Sequence, residues 1–186
     1  MIEVRWHGRG GHGGFTAARL LGLAASVYGG NYAQAFPSFG PERRGAPVLG
    51  FTRIDDKPIN DHSQVYSCDV VVVLDESLIG SVDVTKGLKD SGVMLINSHK
   101  SPNLFNFNVK AKIYTIDATQ IALNILGKPI TNTVMLGAAV EVTDFVDIKS
   151  VYEAIDSFMD RDLREKNKKA AQTLFRSKLL RLLMNL

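Results

Sequence analysis

The sequence predicts a single α/β domain with three layers, α/β/α, built around a mostly parallel mixed sheet. Short runs of aliphatic and β-branched residues alternate along the chain with longer segments of helical apolar spacing. The run VVVVL at 70–74 has no polar position, as expected for a strand that is covered on both faces. The 186 residues, 45% of them hydrophobic, contain no linker or repeat, so we treat 1–186 as one domain.

Individual elements follow from the same patterns. We predict strands or extended segments at 2–6, 32–35, 48–54, 70–74, 93–96 and 112–116. Helices are predicted at about 15–28, 77–89, 118–126, 132–142, 148–159 and 163–184. Gly29 and Gly127 mark the ends of two of these helices.

Polar and glycine residues follow the predicted strands. In open α/β sheets, ligands bind outside the carboxyl ends of the strands. We therefore expect the residues that follow the strands to meet at one edge, namely the loop 8–13 with Asp75, Glu76, Asn97, Ser98, His99 and Asp117. The predicted role of Asp75 is to cap the next helix rather than to act as a general acid or base, and we assign no catalytic residue.

Composition excludes several kinds of site. Cys68 is the only cysteine, so the chain can hold no internal disulfide, no cysteine-based zinc site and no cysteine-ligated iron–sulfur cluster. His62 and His99 lack companions at ligand spacing, and we predict no metal site. No run approaches the roughly 20 apolar residues of a membrane-spanning helix, which favours a cytoplasmic protein without membrane contact.

The positive charge is concentrated at the C-terminal end. The formal net charge is +3, but residues 161–186 carry eight Lys or Arg against two Asp or Glu. Leucines recur at helical spacing among these charges, and Phe175 is the only aromatic residue there. We predict a basic amphipathic helix at 163–184 that docks by its leucines and turns its basic side to solvent or a partner, not to nucleic acid.

A glycine-rich loop follows the first predicted strand. Gly8, Gly10 and Gly13 satisfy the G-x-G-x-x-G pattern of Rossmann-like dinucleotide-binding domains. Such domains also need an acidic residue about 20 positions after the loop to hold a ribose hydroxyl. No Asp or Glu occurs between Glu3 and Glu42, so the sequence disfavours NAD binding.

Two interpretations of the loop remain. It is either a tight turn in which glycine permits positive φ, or a cradle for a phosphate or another anion at the start of the next helix. In the second case Arg9 and His12 add donors to the loop amides.

The segment SFGPERRGAP at 38–47 is a second candidate. Arginine presents a rigid fork that suits carboxylate or phosphate, and the flanking prolines restrict the backbone. The alternative is a solvated turn in which Glu42 pairs with Arg43 or Arg44.

Together these motifs resemble those of a known family. The glycine loop with FTAARLLGLAA, then PSFGPERRGAP, VVVVLDESL and NTVMLGAAVEVT, resembles the gamma subunit of pyruvate and other 2-oxoacid:ferredoxin oxidoreductases over residues 2–160. Residues that match the motifs are Gly8, Arg9, Gly10, Gly11 and Gly13 in the first, Gly40, Pro41, Glu42, Arg44 and Gly45 in the second, and Leu136 and Gly137 in the third.

The resemblance implies a subunit of a larger enzyme. In that family a 2-oxoacid, most often pyruvate, is decarboxylated on thiamine diphosphate, electrons pass through [4Fe–4S] clusters to ferredoxin, and the acyl group passes to coenzyme A. It implies alpha, beta and delta subunits as partners that hold these cofactors. This chain is expected to bind no cofactor alone, to be inactive in isolation, and to help enclose the side where coenzyme A approaches.

The resemblance also directs attention to one ligand. Coenzyme A carries a diphosphate and a 3′-phosphate, which suit a glycine cradle with an arginine fork. The candidate binding residues are Gly8, Arg9, Gly10, Gly11, His12, Gly13, Glu42, Arg43 and Arg44. An equal alternative is that Arg43 or Arg44 pairs with an acidic residue of a neighbouring subunit. A stand-alone nucleotide- or coenzyme A-binding module is the second candidate function.

Overall fold

The computed structural model describes residues 1–38 and 44–175. Its strands are β1 (Ile2–Arg9), β2 (Tyr32–Pro37), β3 (Pro47–Asp55), β4 (Cys68–Val73), β5 (Leu88–Asn97) and β6 (Lys112–Ile116). Its α-helices are α1 (Gly14–Ser26), α2 (Ala118–Leu126), α3 (Asn132–Thr143), α4 (Ile148–Phe158) and α5 (Arg161–Gln172). Two single-turn 3₁₀ helices lie at Glu76–Leu78 and Pro102–Leu104.

The six strands form one mixed sheet in the order β2-β3-β1-β4-β5-β6. The pairs β1–β4, β4–β5 and β5–β6 are parallel. β3 is antiparallel to both β1 and β2. The α/β class and the mostly parallel mixed sheet are therefore confirmed.

The two faces of the sheet are covered differently. Val4, Trp6 and Leu95 face a core to which all five described helices contribute. Val71, Val73 and Met94 face a smaller core with Val65 and Val84. This second face, which we call the irregular face, is covered by the segments 56–67, 74–87 and 98–111, in which the structure shows only turns, bends and the two 3₁₀ helices.

The prediction of a helix at 77–89 is wrong. The 3₁₀ turn ends at Leu78, the chain continues in turns, and β5 begins at Leu88. Asp83 stabilises the turn, because its Oδ1 accepts from the backbone N (2.9 Å) and the hydroxyl (2.6 Å) of Thr85. Leu78 and Val84 are both buried and made the segment resemble an apolar helix, but the chain between them forms turns. The layer on the irregular face therefore lacks the α-helix expected there.

The ends of two other elements differ from expectation. β1 continues to Arg9, so the first glycine of the loop is part of the strand. α5 covers Arg161–Gln172 of the basic helix predicted at 163–184, and residues 176–186 lie outside the described part. Within the described part, Leu174 is buried as predicted, and Lys168 pairs with Asp156 (2.7 Å).

Helices α3 and α5 pack at close range. A Cβ on Gly137 of α3 would overlap the backbone carbonyl oxygen of Ala171 in α5. Ala138, Ala139 and Ala171 around this contact are fully buried. Close packing of the two helices explains the glycine at position 137, since only glycine leaves room for this approach.

Two basic side chains are buried on the irregular face. Arg5 Nη2 donates to the carbonyl of Val84 (3.1 Å). The ring of His7 is nearly inaccessible, and its Nε2 has no hydrogen-bond partner among the described residues. Burial, together with the positive charge of Arg5, lowers the pKa of His7 to about 3, and the carboxylate of Asp83 opposes this only in part.

His7 should make the fold sensitive to acid. Because its pKa is about 3 in the folded state and near 6.5 when unfolded, its contribution to stability is complete above pH 6.5 and is lost as the pH falls toward 3. We expect the free energy of unfolding to fall by about 2 kcal/mol when the pH is lowered from 7 to 5, because His7 is then protonated only in the unfolded state. Urea denaturation at the two pH values measures it.

A matched pair of variants isolates the contribution. His7→Gln should flatten the dependence between pH 7 and pH 5, whereas His62→Gln, at an exposed position, should leave it unchanged. An unchanged dependence in His7→Gln would show that the imidazole is not the responsible group.

Candidate functional site

A cavity of about 780 Å³ lies at the carboxyl edge of the parallel strands. It is lined by residues that follow β1, β4, β5 and β6 and by the loop between α2 and α3: Gly11, His12, Gly13, Leu74, Asp75, Glu76, Asn97, Ser98, His99, Asp117, Thr119, Gln120, Pro129, Ile130 and Thr131. The predicted convergence of the strand-end residues is confirmed. In the glycine loop, residues 11–13 line the cavity and Gly8 does not.

The loop geometry explains why glycine occupies position 13. Gly13 precedes α1 with a φ of 77°, in the left-handed region, and a Cβ there would lie 2.5 Å from the side-chain nitrogen of Asn132. No side chain caps α1, and its first turn contains no acidic residue. The first amides of α1 and the positive end of its dipole are therefore unshielded by side chains beside the cavity.

Arg9 bonds to the protein itself. Its Nε donates to Asp75 Oδ2 (2.8 Å), its Nη1 to the carbonyl of Gly45 (2.9 Å) and its Nη2 to Ser77 Oγ (2.7 Å). Each nitrogen of the guanidinium thus has a partner within this chain. Arg9 connects the end of β1 to two segments that are distant in sequence.

The two predicted motifs lie side by side. Gly10 N donates to the carbonyl of Ala46 (2.9 Å), and Gly45 N donates to the carbonyl of Gly10 (3.1 Å). Gly10 also forms an isolated parallel bridge with Arg44. The side chain of Arg44 is exposed and approaches Gly11. The structure gives its guanidinium no hydrogen bond or ion pair within 1–38 and 44–175. Glu42 and Arg43 lie outside the described residues, as do Gly40 and Pro41.

The three carboxylates of the cavity wall are already engaged. Partial burial opposes ionisation of Asp75, but hydrogen bonds from Ser77 and Arg9 outweigh it and hold the pKa of this carboxyl below its usual value. The Lys100 ammonium, whose Nζ donates to Glu76 Oε1 (2.8 Å), lowers the pKa of Glu76. Asp117 accepts from the backbone N of Gln120 (2.9 Å) and caps α2.

These contacts define what the carboxylates can do. Asp75 also accepts from the backbone N of Ser77 (3.0 Å), so its predicted capping role is confirmed, although the helix is a single 3₁₀ turn. Ionised and internally bonded carboxylates are poor general acids at neutral pH. The cavity is therefore better suited to binding than to proton transfer.

Sequence reasoning missed one wall of the cavity. Pro129, Ile130 and Thr131 line it from the loop before α3, which follows a helix rather than a strand. Asn97 connects three parts of the lining, since its Nδ2 donates to the carbonyl of Leu74 (2.9 Å) and to Thr119 Oγ1 (3.0 Å). The polar run TNT at 131–133 was the available signal for this wall.

The described residues offer neither a metal site nor a membrane-spanning helix. No group of three or more His, Cys, Asp or Glu is arranged to hold a metal ion within residues 1–38 and 44–175. In the same part of the chain, no helix is both long and apolar enough to span a membrane.

The mixed sheet, the glycine turn at the end of β1 and the cavity beside it define a Rossmann-like α/β domain with a cavity at the carboxyl edge of its sheet. Residues 3–176 match the family model described as pyruvate ferredoxin/flavodoxin oxidoreductase. Because the match covers most of the chain, this chain belongs to the pyruvate ferredoxin/flavodoxin oxidoreductase family.

Individual relatives agree with this assignment. The chain is 54% identical over 178 residues to the pyruvate/ketoisovalerate oxidoreductases common subunit gamma of Thermococcus kodakarensis, covering 94% of this chain and 96% of the relative. It is 53% identical over 175 residues to pyruvate synthase subunit PorC of Methanothermobacter thermautotrophicus, covering 94% of each. The crystal structure of pyruvate oxidoreductase subunit PORC from Thermotoga maritima is similar with a TM-score of 0.82, at 37% identity, over 95% of this chain and 96% of that one. The resemblance to gamma subunits is confirmed, and the chain is a gamma-type subunit of a multisubunit oxidoreductase.

Proposed function

We propose that this subunit packs against the catalytic subunits of a 2-oxoacid:ferredoxin oxidoreductase that acts on pyruvate, and that it encloses the side of the active site where coenzyme A enters. The observation that carries the proposal is the cavity at the carboxyl edge, which Gly11 and Gly13 line beside the uncapped start of α1. Arg44 lies against Gly11 and has no hydrogen bond or ion pair among the described residues. In this role the chain binds and orients an anionic co-substrate and excludes water.

Partner subunits supply the redox chemistry in this proposal. A [4Fe–4S] cluster needs several cysteine ligands, and this chain offers only the buried Cys68. We therefore assign the clusters and thiamine diphosphate to the alpha, beta and delta subunits, through which electrons reach ferredoxin. When bound there, thiamine diphosphate supplies the decarboxylation step.

The described residues fit an anion such as the phosphates of coenzyme A. No side chain caps the start of α1, so its first backbone amides are available to donate to a bound anion, and Arg44 adds a charged donor. The carboxylates Asp75 and Glu76 are neutralised by Arg9 and Lys100, which reduces their repulsion of a phosphate. Of the candidate binding residues, we assign the contact with the anion to Gly11, His12, Gly13 and Arg44. Gly8 and Arg9 belong to β1, and Gly10 forms the bridge to Arg44.

Co-purification tests the proposal as a whole. The tagged chain, recovered from its native host, is expected to bring three further subunits together with thiamine diphosphate and iron. A lone chain that binds a nucleotide or coenzyme A saturably would instead support the stand-alone module. That alternative draws on the fact that the described cavity is formed within one chain.

Arg44→Ala tests the assignment of the cavity to coenzyme A. In the reconstituted complex we expect the KM for coenzyme A to rise by about tenfold, because a charge-assisted hydrogen bond is lost, with kcat changed by less than about twofold. Steady-state kinetics at saturating 2-oxoacid measure both values. Lys57→Ala, at an exposed position in the turn after β3, is the matched control and should change neither.

Two other outcomes would contradict this assignment. If Arg44→Ala weakens subunit assembly on size exclusion while the assembled fraction keeps its KM, the guanidinium pairs with a neighbouring subunit. If kinetics and assembly both stay unchanged, Arg44 is no part of the site.

A further inference from the structure

We propose that Arg9 is a positioning residue, which holds Arg44 over the glycine loop without contacting the ligand itself. The inference rests on the function proposed above and goes beyond it, because it assigns to Arg9 a role different from the binding role that its motif position implies.

The bonding pattern of Arg9 carries the inference. Its three nitrogens reach Asp75 at the end of β4, Ser77 in the 3₁₀ turn and the carbonyl of Gly45, at 2.7–2.9 Å. Gly45 directly follows Arg44 and has a φ of 79°, a left-handed conformation that directs the chain back toward β3. Arg9 therefore fixes the residue next to Arg44, while the bridge from Gly10 fixes Arg44 itself.

Arg9 has a second effect, through charge. The ion pair between Arg9 Nε and Asp75 Oδ2 is about three-quarters shielded from solvent on both sides. Asp75 lines the cavity, so loss of Arg9 would leave an uncompensated carboxylate beside the bound phosphate. Both effects act on ligand affinity, and neither needs Arg9 to touch the ligand.

Conservative substitution separates the two effects. Arg9→Lys retains a positive charge for Asp75, but one ammonium cannot also reproduce the fork to Gly45 and Ser77. We expect Arg9→Lys to raise the KM for coenzyme A about fivefold in the reconstituted complex, with kcat within about twofold. Arg161→Lys, at an exposed position at the start of α5, is the matched control and should leave both unchanged.

A double-mutant cycle identifies the route of action. If Arg9 acts by placing Arg44, then Arg9→Lys should have little further effect on the KM in an Arg44→Ala background. Additive effects of the two substitutions, or an Arg9→Lys variant that loses stability and kcat while keeping its KM, would overturn the inference. Ser77→Ala provides a milder second variant, because it removes one acceptor without changing charge, and it should raise the KM in the same direction.

The cycle also separates this inference from the proposed function. If Arg44→Ala leaves the KM unchanged, the coenzyme A assignment itself fails. If Arg44→Ala raises the KM but Arg9→Lys leaves it unchanged or acts additively, the coenzyme A assignment stands and only the positioning role of Arg9 is wrong.

Discussion

Gly137→Ala is expected to lower the free energy of unfolding by about 3 kcal/mol or more, because the added methyl group overlaps a backbone oxygen. The oxygen belongs to Ala171 in α5, so no side-chain rotation can relieve the contact. Helices α3 and α5 must separate, or the backbone must distort. Urea denaturation of the purified chain, compared with wild type, measures the loss.

Gly80→Ala is the matched control for this prediction. Nothing lies within 4 Å of a Cβ at Gly80, and its φ is not in the left-handed region. Its effect should stay within about 0.5 kcal/mol. If Gly137→Ala is as mild as this control, the close packing of α3 on α5 is incorrect.

Gly137→Ala should also affect the cavity. Thr131 and Asn132 stand at the start of α3, where Thr131 lines the cavity and Asn132 lies against Gly13. A shift of α3 away from α5 therefore moves one wall of the site. Packing at Gly137 and binding at the sheet edge are connected through one rigid helix.

Arg53→Met is expected to destabilise the fold by about 3–5 kcal/mol. The side chain of Arg53 is only 1% exposed, and its Nε donates to Glu3 Oε1 (2.8 Å) while its Nη1 donates to the carbonyl of Asp61 (2.9 Å). Its guanidinium also lies over the ring of Phe36, 5.4 Å from the centroid. Methionine fills part of the volume but leaves the carboxylate and the carbonyl without their donor.

Two further variants sharpen this prediction. Arg53→Met combined with Glu3→Gln should recover part of the lost stability, because the buried carboxylate is then removed with its partner. Lys110→Met breaks the exposed pair with Asp90 and should cause no measurable change in denaturant midpoint. An Arg53→Met variant as stable as the Lys110→Met variant would show that the buried network contributes nothing.

The parallel half of the sheet could be predicted from the sequence because its strands carry a strong signal. β4 and β5 are covered on both faces, so their apolar runs are nearly continuous. The irregular face has no such signal. Individual polar contacts hold its segments, such as the hydrogen bond from Thr85 N to Asp83 and the one from Arg53 to the carbonyl of Asp61. Such contacts leave no periodic pattern in the sequence.

The candidate site was predictable in position and less so in detail. The rule that ligands bind at strand carboxyl ends placed residues 11–13, Asp75 and Asn97 together correctly. The partners of Arg9 are 36, 66 and 68 positions away in sequence, and only the folded sheet brings them within bonding distance. An arginine in a glycine motif therefore looked like a ligand contact, although its donors are used within the chain.

The central place of β1 bears on how this chain matures during synthesis. β1 is translated before both of its neighbours in the sheet, β3 and β4, which end at Asp55 and Val73. The helices that bury its apolar face extend to Gln172. The nascent polypeptide thus cannot complete this core until α5 has been translated, and such delayed closure favours slow acquisition of the native state and early reliance on chaperones.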